Sequence, residues 1–380
     1  MGIIRLLLAL SVVLSHSYSF FRINILGGEL AVQAFFIISG FYMSLILNEK
    51  YIAKNGSYNL FISNRFMRIF PIYLCVLLLS ALFYQYGYMN PPANPEVQIA
   101  FGNPMEMYAQ YYPDITLASF FFLVFTNMLI FFQDCVMFMG LTPEGSLFFT
   151  PNFWLTNPQL YKFLLIPQAW SIALELTFYL IAPFLVRRKV SIIITLILSA
   201  FALRFIAYQA GYEKDPWSYR FLPFELAYFL LGTLSYNLYK KIRTSNIKRE
   251  YLKYTFGFII GLTIVYPVIK FPGSSYLYCT LFAISLPFVF HLTKNWKYDT
   301  YMGDLSYPIY LVHIILLYVV YYFSAYINHA LIGILYLILI FGSSIVLNEV
   351  ISRPIEKIRQ RRITGKNKNE QAGFNIQMVK

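Results

Sequence analysis

Long apolar runs separated by short polar breaks recur along the whole chain. About 20 apolar residues cross a hydrocarbon layer about 30 Å thick. Ten segments approach that length: 3–21, 28–47, 68–88, 166–186, 190–209, 222–240, 252–269, 275–293, 304–326 and 331–351. The pattern predicts an all-α fold, a polytopic transmembrane helical bundle of about ten spans. An eleventh stretch, 115–132, is apolar enough to leave the parity open on length alone.

Composition supports this reading and excludes a soluble globular chain. Of 380 residues, 58% are hydrophobic, 19% aromatic and 12% charged. A net charge of +13 would direct a soluble chain to nucleic acid. Here the enrichment of Lys and Arg in cytoplasmic loops accounts for it, so lipid is the expected partner and nucleic acid is not. With ten spans and the N-terminus inside, the outer segments keep Arg22, Lys162, Lys214, Arg220 and Lys270, and Arg204 lies within a span. Most of the 30 cations then face the cytoplasm. A crossing at 115–132 would move most of them outside, so that stretch is expected to be a re-entrant or interfacial helix, with both termini cytoplasmic.

The outer loop 89–165 contains Asn90-Pro-Pro-Ala-Asn-Pro95 and Pro151-Asn152, and is expected to be irregular and to form a partial lid. Residues 1–355 form the membrane domain, and 356–380 a basic cytoplasmic tail expected to be disordered. Arg5 followed by Leu6–Leu14 imitates a signal peptide, but no Ala-x-Ala-like site follows. Cys75, Cys135 and Cys279 lack paired spacing, so neither a disulfide nor a metal is expected.

Candidate chemistry begins with Arg5 and His16. Eleven helical residues are about 20° past three full turns, so the two side chains share a face about 16 Å apart. His16 is expected about 20 Å from the inner surface and His313 about 14 Å, with Glu175 also near the middle. Titratable residues at that depth are costly and point to function, although each alone can be satisfied by a neighbouring carbonyl. Arg65 and Arg68, three residues apart at an expected helix start, can hold phosphate oxygens or serve as topogenic charge beside anionic lipid. Ser306, Tyr310 and His313 form a polar stripe at i, i+4 and i+7. Glu29 and Gln33, one turn apart, can line the same cavity. Ile38-Ser-Gly-Phe41 suits close helix packing, and Arg204 can reach the outer interface by snorkelling.

These segments, in order, resemble the acyltransferase-3 family of integral membrane acyltransferases over about residues 1–355. The matching stretches are Arg5 to His16, Gln33 to Phe41, Arg65-Phe-Met-Arg68-Ile-Phe-Pro71, Trp170-Ser-Ile-Ala-Leu-Glu175 with Phe178-Tyr179, and Gly303 to His313, followed by Arg353-Pro354. The chain departs from the family at Gln168-Ala-Trp170-Ser, where His-Thr-Trp-Ser is common, and at Glu175-Leu176, where two acids often stand together. No fused extracellular hydrolase-like domain is expected.

The resemblance implies transfer of an acyl group, most often acetyl, from cytoplasmic acetyl-CoA or another acyl-CoA to a hydroxyl of a cell-envelope polysaccharide or its lipid-linked precursor. It implies residence in the bacterial inner membrane. His16 and Glu175 are then catalytic, with Glu175 orienting His16 or binding the acceptor. Arg5, Arg65 and Arg68 hold the donor, and His313, Tyr310, Ser306, Trp170, Tyr179, Gln33 and Glu29 line the pocket. Direct attack and an acyl-histidine relay both fit. A transporter or flippase for a lipid-linked sugar is the alternative, disfavoured by the absence of a visible internal repeat.

Overall fold

The computed structural model describes residues 1–51, 57–93, 102–269 and 271–363. The described chain is helical apart from one short antiparallel hairpin, β1 (Met139–Leu141) with β2 (Leu147–Phe149). The first apolar segment forms α1 (Gly2–His16) and the second α2 (Gly28–Glu49), followed by α3 (Ser57–Met89). The outer loop holds α4 (Pro104–Tyr111) and α5 (Leu117–Leu129). Then come α6 (Trp170–Leu185), α7 (Val190–Gln209), α8 (Leu222–Ile242) and α9 (Arg249–Val265). Last are α10 (Ser274–Thr293), α11 (Lys297–Tyr322), α12 (His329–Leu347) and a terminal helix α13 over 353–363.

All ten predicted spans are helical, but among the described residues eight helices are long and apolar enough to cross a membrane. The other two are α1 and α8. The predicted span 3–21 breaks at Ser17, so α1 has 15 residues and a length of about 22 Å. Its last turn shows the cause. Ser15 and Ser17 donate to Val12 O and Val13 O at 2.7 and 2.8 Å, and His16 Nδ1 shares Val12 O at 3.0 Å. Side chains competing for the final carbonyls favour termination there. Helix α8 has 21 residues but carries Glu225, Lys240 and Lys241. Much of α8 is buried against other helices, so burial rather than a uniformly apolar surface holds it in place.

Helices α2 and α11 form the interior of the bundle, with 83% and 72% of their most apolar stretches buried, against 17% for α7. Close approach of α2 and α8 depends on glycine. A Cβ on Gly40 would lie 1.8 Å from Phe229 O, and one on Gly232 would lie 2.0 Å from Ile37 O. This is the small-residue packing that membrane helices use to bring backbones together. Helix α1 meets α11 in the same way, where Gly2 leaves no room for a Cβ beside Asp299 O. The Asp299 carboxylate accepts from Gly2 N and Ile3 N at 2.8 and 3.0 Å, closing the free amides at the start of α1.

The 115–132 stretch forms α5, whose 13 residues extend about 20 Å, too short for a crossing. Leu117, Phe121, Phe125 and Met128 make an exposed apolar stripe along it. Its described residues carry more regular structure than expected. Asn103 and Thr116 cap α4 and α5, and Asn127 Oδ1 accepts from Leu165 N at 2.8 Å. Asn94 and Pro95 lie outside the described residues. The expected tail also needs correction: 356–363 belongs to α13, where Arg359 is buried, while 364–380 lies outside the described residues.

Candidate active site

Helix α1 ends at His16, which places the imidazole in the lining of a chamber of about 590 Å³. Val12 O can only accept, so Nδ1 donates to it, and in the neutral ring Nε2 keeps the lone pair. His313 has the same arrangement: Nδ1 donates to Tyr310 O at 2.6 Å. The two ring centroids are 5.1 Å apart and their planes are tilted by 50°. His313 is fully buried, and its Nε2 has no hydrogen-bond partner among the described residues.

The chamber wall includes Glu29, Trp170 and Arg220. Arg220 was not singled out in the sequence. Its guanidinium lies 4.3 Å from the Trp170 ring centroid and is fixed by Asp215 through contacts of 2.5 and 3.1 Å. Burial raises the neighbouring Tyr219 phenol above its ordinary pKa, even beside that cation. Phe153, Trp154 and Tyr161 bring the outer loop to the same chamber.

A second cavity, of about 110 Å³, shares Tyr310 with this chamber. Arg5, Arg68, Glu175, Tyr179 and Ser306 line it. Glu175 Oε1 accepts from Ser39 Oγ at 2.6 Å and from the Tyr179 hydroxyl. Tyr310 and Val32 belong to both cavities and form the partition. The Tyr310 hydroxyl is held by Gln168 O at 2.9 Å and Ser171 Oγ at 2.7 Å. The stripe on α11 thus runs from Ser306 in one cavity, through Tyr310 in the wall, to His313 beside His16.

Glu175 lines the second cavity and is not among the residues lining the histidine chamber. Trp170 opens α6 at the chamber, and Glu175 follows five residues, about 7.5 Å, further along the axis. The end of α1 places His16 on the wall of the chamber. Glu175 shares a cavity with the arginines, and His16 is paired with His313.

Arg65 also departs from the expected geometry. Helix α3 begins at Ser57, so Arg65 and Arg68 occupy its interior rather than its start. Arg68 reaches the second cavity, whereas Arg65 is buried over the Phe61 ring, 5.8 Å from its centroid. Glu29 and Gln33 do share a cavity, a third one of about 440 Å³, and Glu29 reaches the histidine chamber as well. That third cavity contains Arg204, whose guanidinium also donates to Ser218 O of the following loop at 3.1 Å. It forms an ion pair with fully buried Glu225, to which Gln33 Nε2 donates at 3.4 Å. Opposite charges on predicted spans 5 and 6 were the available signal.

With this geometry in place, the family model described as an acyltransferase domain, acyltransferase 3, matches residues 1–352. The chain belongs to the acyltransferase-3 family. It is an integral membrane protein of that family and a membrane acyltransferase. An uncharacterized protein of Aquifex aeolicus (strain VF5) is 26% identical over 243 residues, covering 60% of this chain and 98% of the relative. No solved structure matches the chain. An arginine-lined cavity and a histidine-lined chamber thus share one tyrosine.

Proposed function

We propose that this protein transfers an acyl group, most simply acetyl, from cytoplasmic acyl-CoA to a hydroxyl of a cell-envelope polysaccharide or its lipid-linked precursor, in the inner membrane of a bacterium. The observation that carries this reading is the pair of cavities sharing Tyr310 and Val32. Arg5 and Arg68 suit the phosphates of coenzyme A, whose thin pantetheine arm would extend towards the Tyr310 partition. Glu175, fixed by Ser39 and Tyr179, offsets part of the arginine charge.

The acceptor occupies the histidine chamber. His16 Nε2 takes the hydroxyl proton as the oxygen attacks the thioester carbonyl. The new C–O bond forms, the C–S bond breaks, and the proton passes from His16 to the departing thiolate. A neutral imidazole with a reference pKa of about 6.5 suits both transfers. Its transient cation has His313, whose buried Nε2 has no partner among the described residues, as a neighbour.

Mass spectrometry of envelope glycan from the host organism tests the reading. Cells with the wild-type protein carry an acyl increment, and cells with His16→Ala at equal protein level lose it. Unchanged acyl ester content in those cells would falsify the assignment.

A further inference from the structure

Helix α13 returns the chain to the arginine end of the bundle. Arg362 donates to Asn64 Oδ1 at 2.8 Å and Ser63 Oγ at 2.9 Å, fastening α13 to α3 immediately before Arg65 and Arg68. One turn earlier on α13, Arg359 is 4% exposed and within electrostatic reach of both. Arg68 is in turn within reach of Arg5. Five guanidiniums from α1, α3 and α13 therefore converge on one region.

Their negative charge is incomplete. Glu356 is bonded by both Arg359 and Gln360, Glu175 is already held by Ser39 and Tyr179, and Asp304 is exposed. The Nε atoms of Arg65 and Arg359 are buried and have no hydrogen-bond partner among the described residues. Buried cations repel one another, and unsatisfied charged donors are costly, unless an anion joins them. A phosphate oxygen matches the donor fork of a guanidinium.

We propose that α13 completes a polyphosphate-binding site, in which Arg359 and Arg65 bind phosphoryl oxygens of the donor nucleotide and Arg362 positions α13. This rests on the acyl-CoA reading and extends it to a segment outside the acyltransferase domain match, which ends at residue 352. An anionic lipid headgroup offers the same chemistry. The nucleotide is favoured because Arg68, one turn from Arg65 on α3, also lines the cavity that includes Tyr310.

Adenosine 3′,5′-bisphosphate, titrated calorimetrically into the purified full-length protein in detergent, is the probe. Wild type binds it, and Arg359→Gln weakens Kd about tenfold or more, as expected for loss of a charge-assisted contact. Arg359→Lys, which keeps the charge without the fork, falls between them and serves if the glutamine variant does not fold. Lys357→Gln and Arg361→Gln remove exposed charges from the same helix and leave Kd unchanged. Equal binding by wild type and Arg359→Gln overturns the proposal, as does an equal loss in Lys357→Gln. Loss of a copurifying anionic phospholipid from Arg359→Gln, with nucleotide affinity intact, identifies a headgroup site and also overturns it. If wild type binds neither the bisphosphate nor acetyl-CoA, the donor reading itself fails.

Discussion

His16 and His313 are held by the same device, an Nδ1–H bond to a carbonyl of their own helix, but their surroundings differ. His16 faces a chamber large enough for part of a sugar, whereas His313 is sealed behind it. In the proposed mechanism the ring that collects a hydroxyl proton has to be reached by the acceptor, which makes His16 the proposed base and His313 its buried neighbour. Replacing His313 with Gln preserves a donor but removes the second ring nitrogen. This change is expected to lower kcat for acyl transfer about 10- to 100-fold while leaving donor KM near wild type. Steady-state kinetics checks the split, and a rise in KM alone would assign His313 to donor binding. The Arg5–His16 spacing was legible in the sequence because both residues lie on one continuous helix. The His16–His313 pair was less legible: depth estimates placed both within the bilayer, but contact required α1 and α11 to pack with particular rotations.

At the scale of elements, glycine decides where helices touch. The sequence marked Ser39-Gly40 as a close-packing site, and Gly40 does meet α8. It did not reveal Gly232 as the partner, since one small residue in a long helix has no distinguishing pattern. Gly232→Ala is expected to destabilise the protein by about 1–3 kcal/mol, because the new methyl meets Ile37 O and Phe41 N of a packed backbone. Gly257→Ala in α9 meets nothing within 4 Å and is expected to be neutral or stabilising by about 0.5–1 kcal/mol through helix propensity. Thermal unfolding of both variants in one detergent provides the comparison. Equal melting temperatures would show that α2 and α8 can separate at little cost. The shortening of α1 belongs to this scale too: Ser15, His16 and Ser17 all compete for the last carbonyls, a local signal that the apolar run 3–21 obscured.

For the molecule as a whole, the proposed reaction has a direction: coenzyme A cannot cross a bilayer unaided, so a cytoplasmic acyl-CoA donor has to be supplied from one face. In sealed inside-out membrane vesicles containing acceptor, added acetyl-CoA is expected to release free thiol, while right-side-out vesicles remain near background until permeabilised. A thiol assay reads both preparations, and equal rates before permeabilisation would contradict one-sided access. Apolar run length and cation placement determined the helical membrane architecture and the expected orientation from sequence alone, because lipid imposes both constraints locally, segment by segment. Only tertiary structure decided that Glu175 sits with the arginines, that Glu225 pairs with Arg204, that Tyr310 divides the site and that α13 returns to α3. Those relations depend on helix rotation, on the residue at which each helix begins or stops, and on contacts between segments up to several hundred residues apart, none of which a one-dimensional hydrophobic pattern carries.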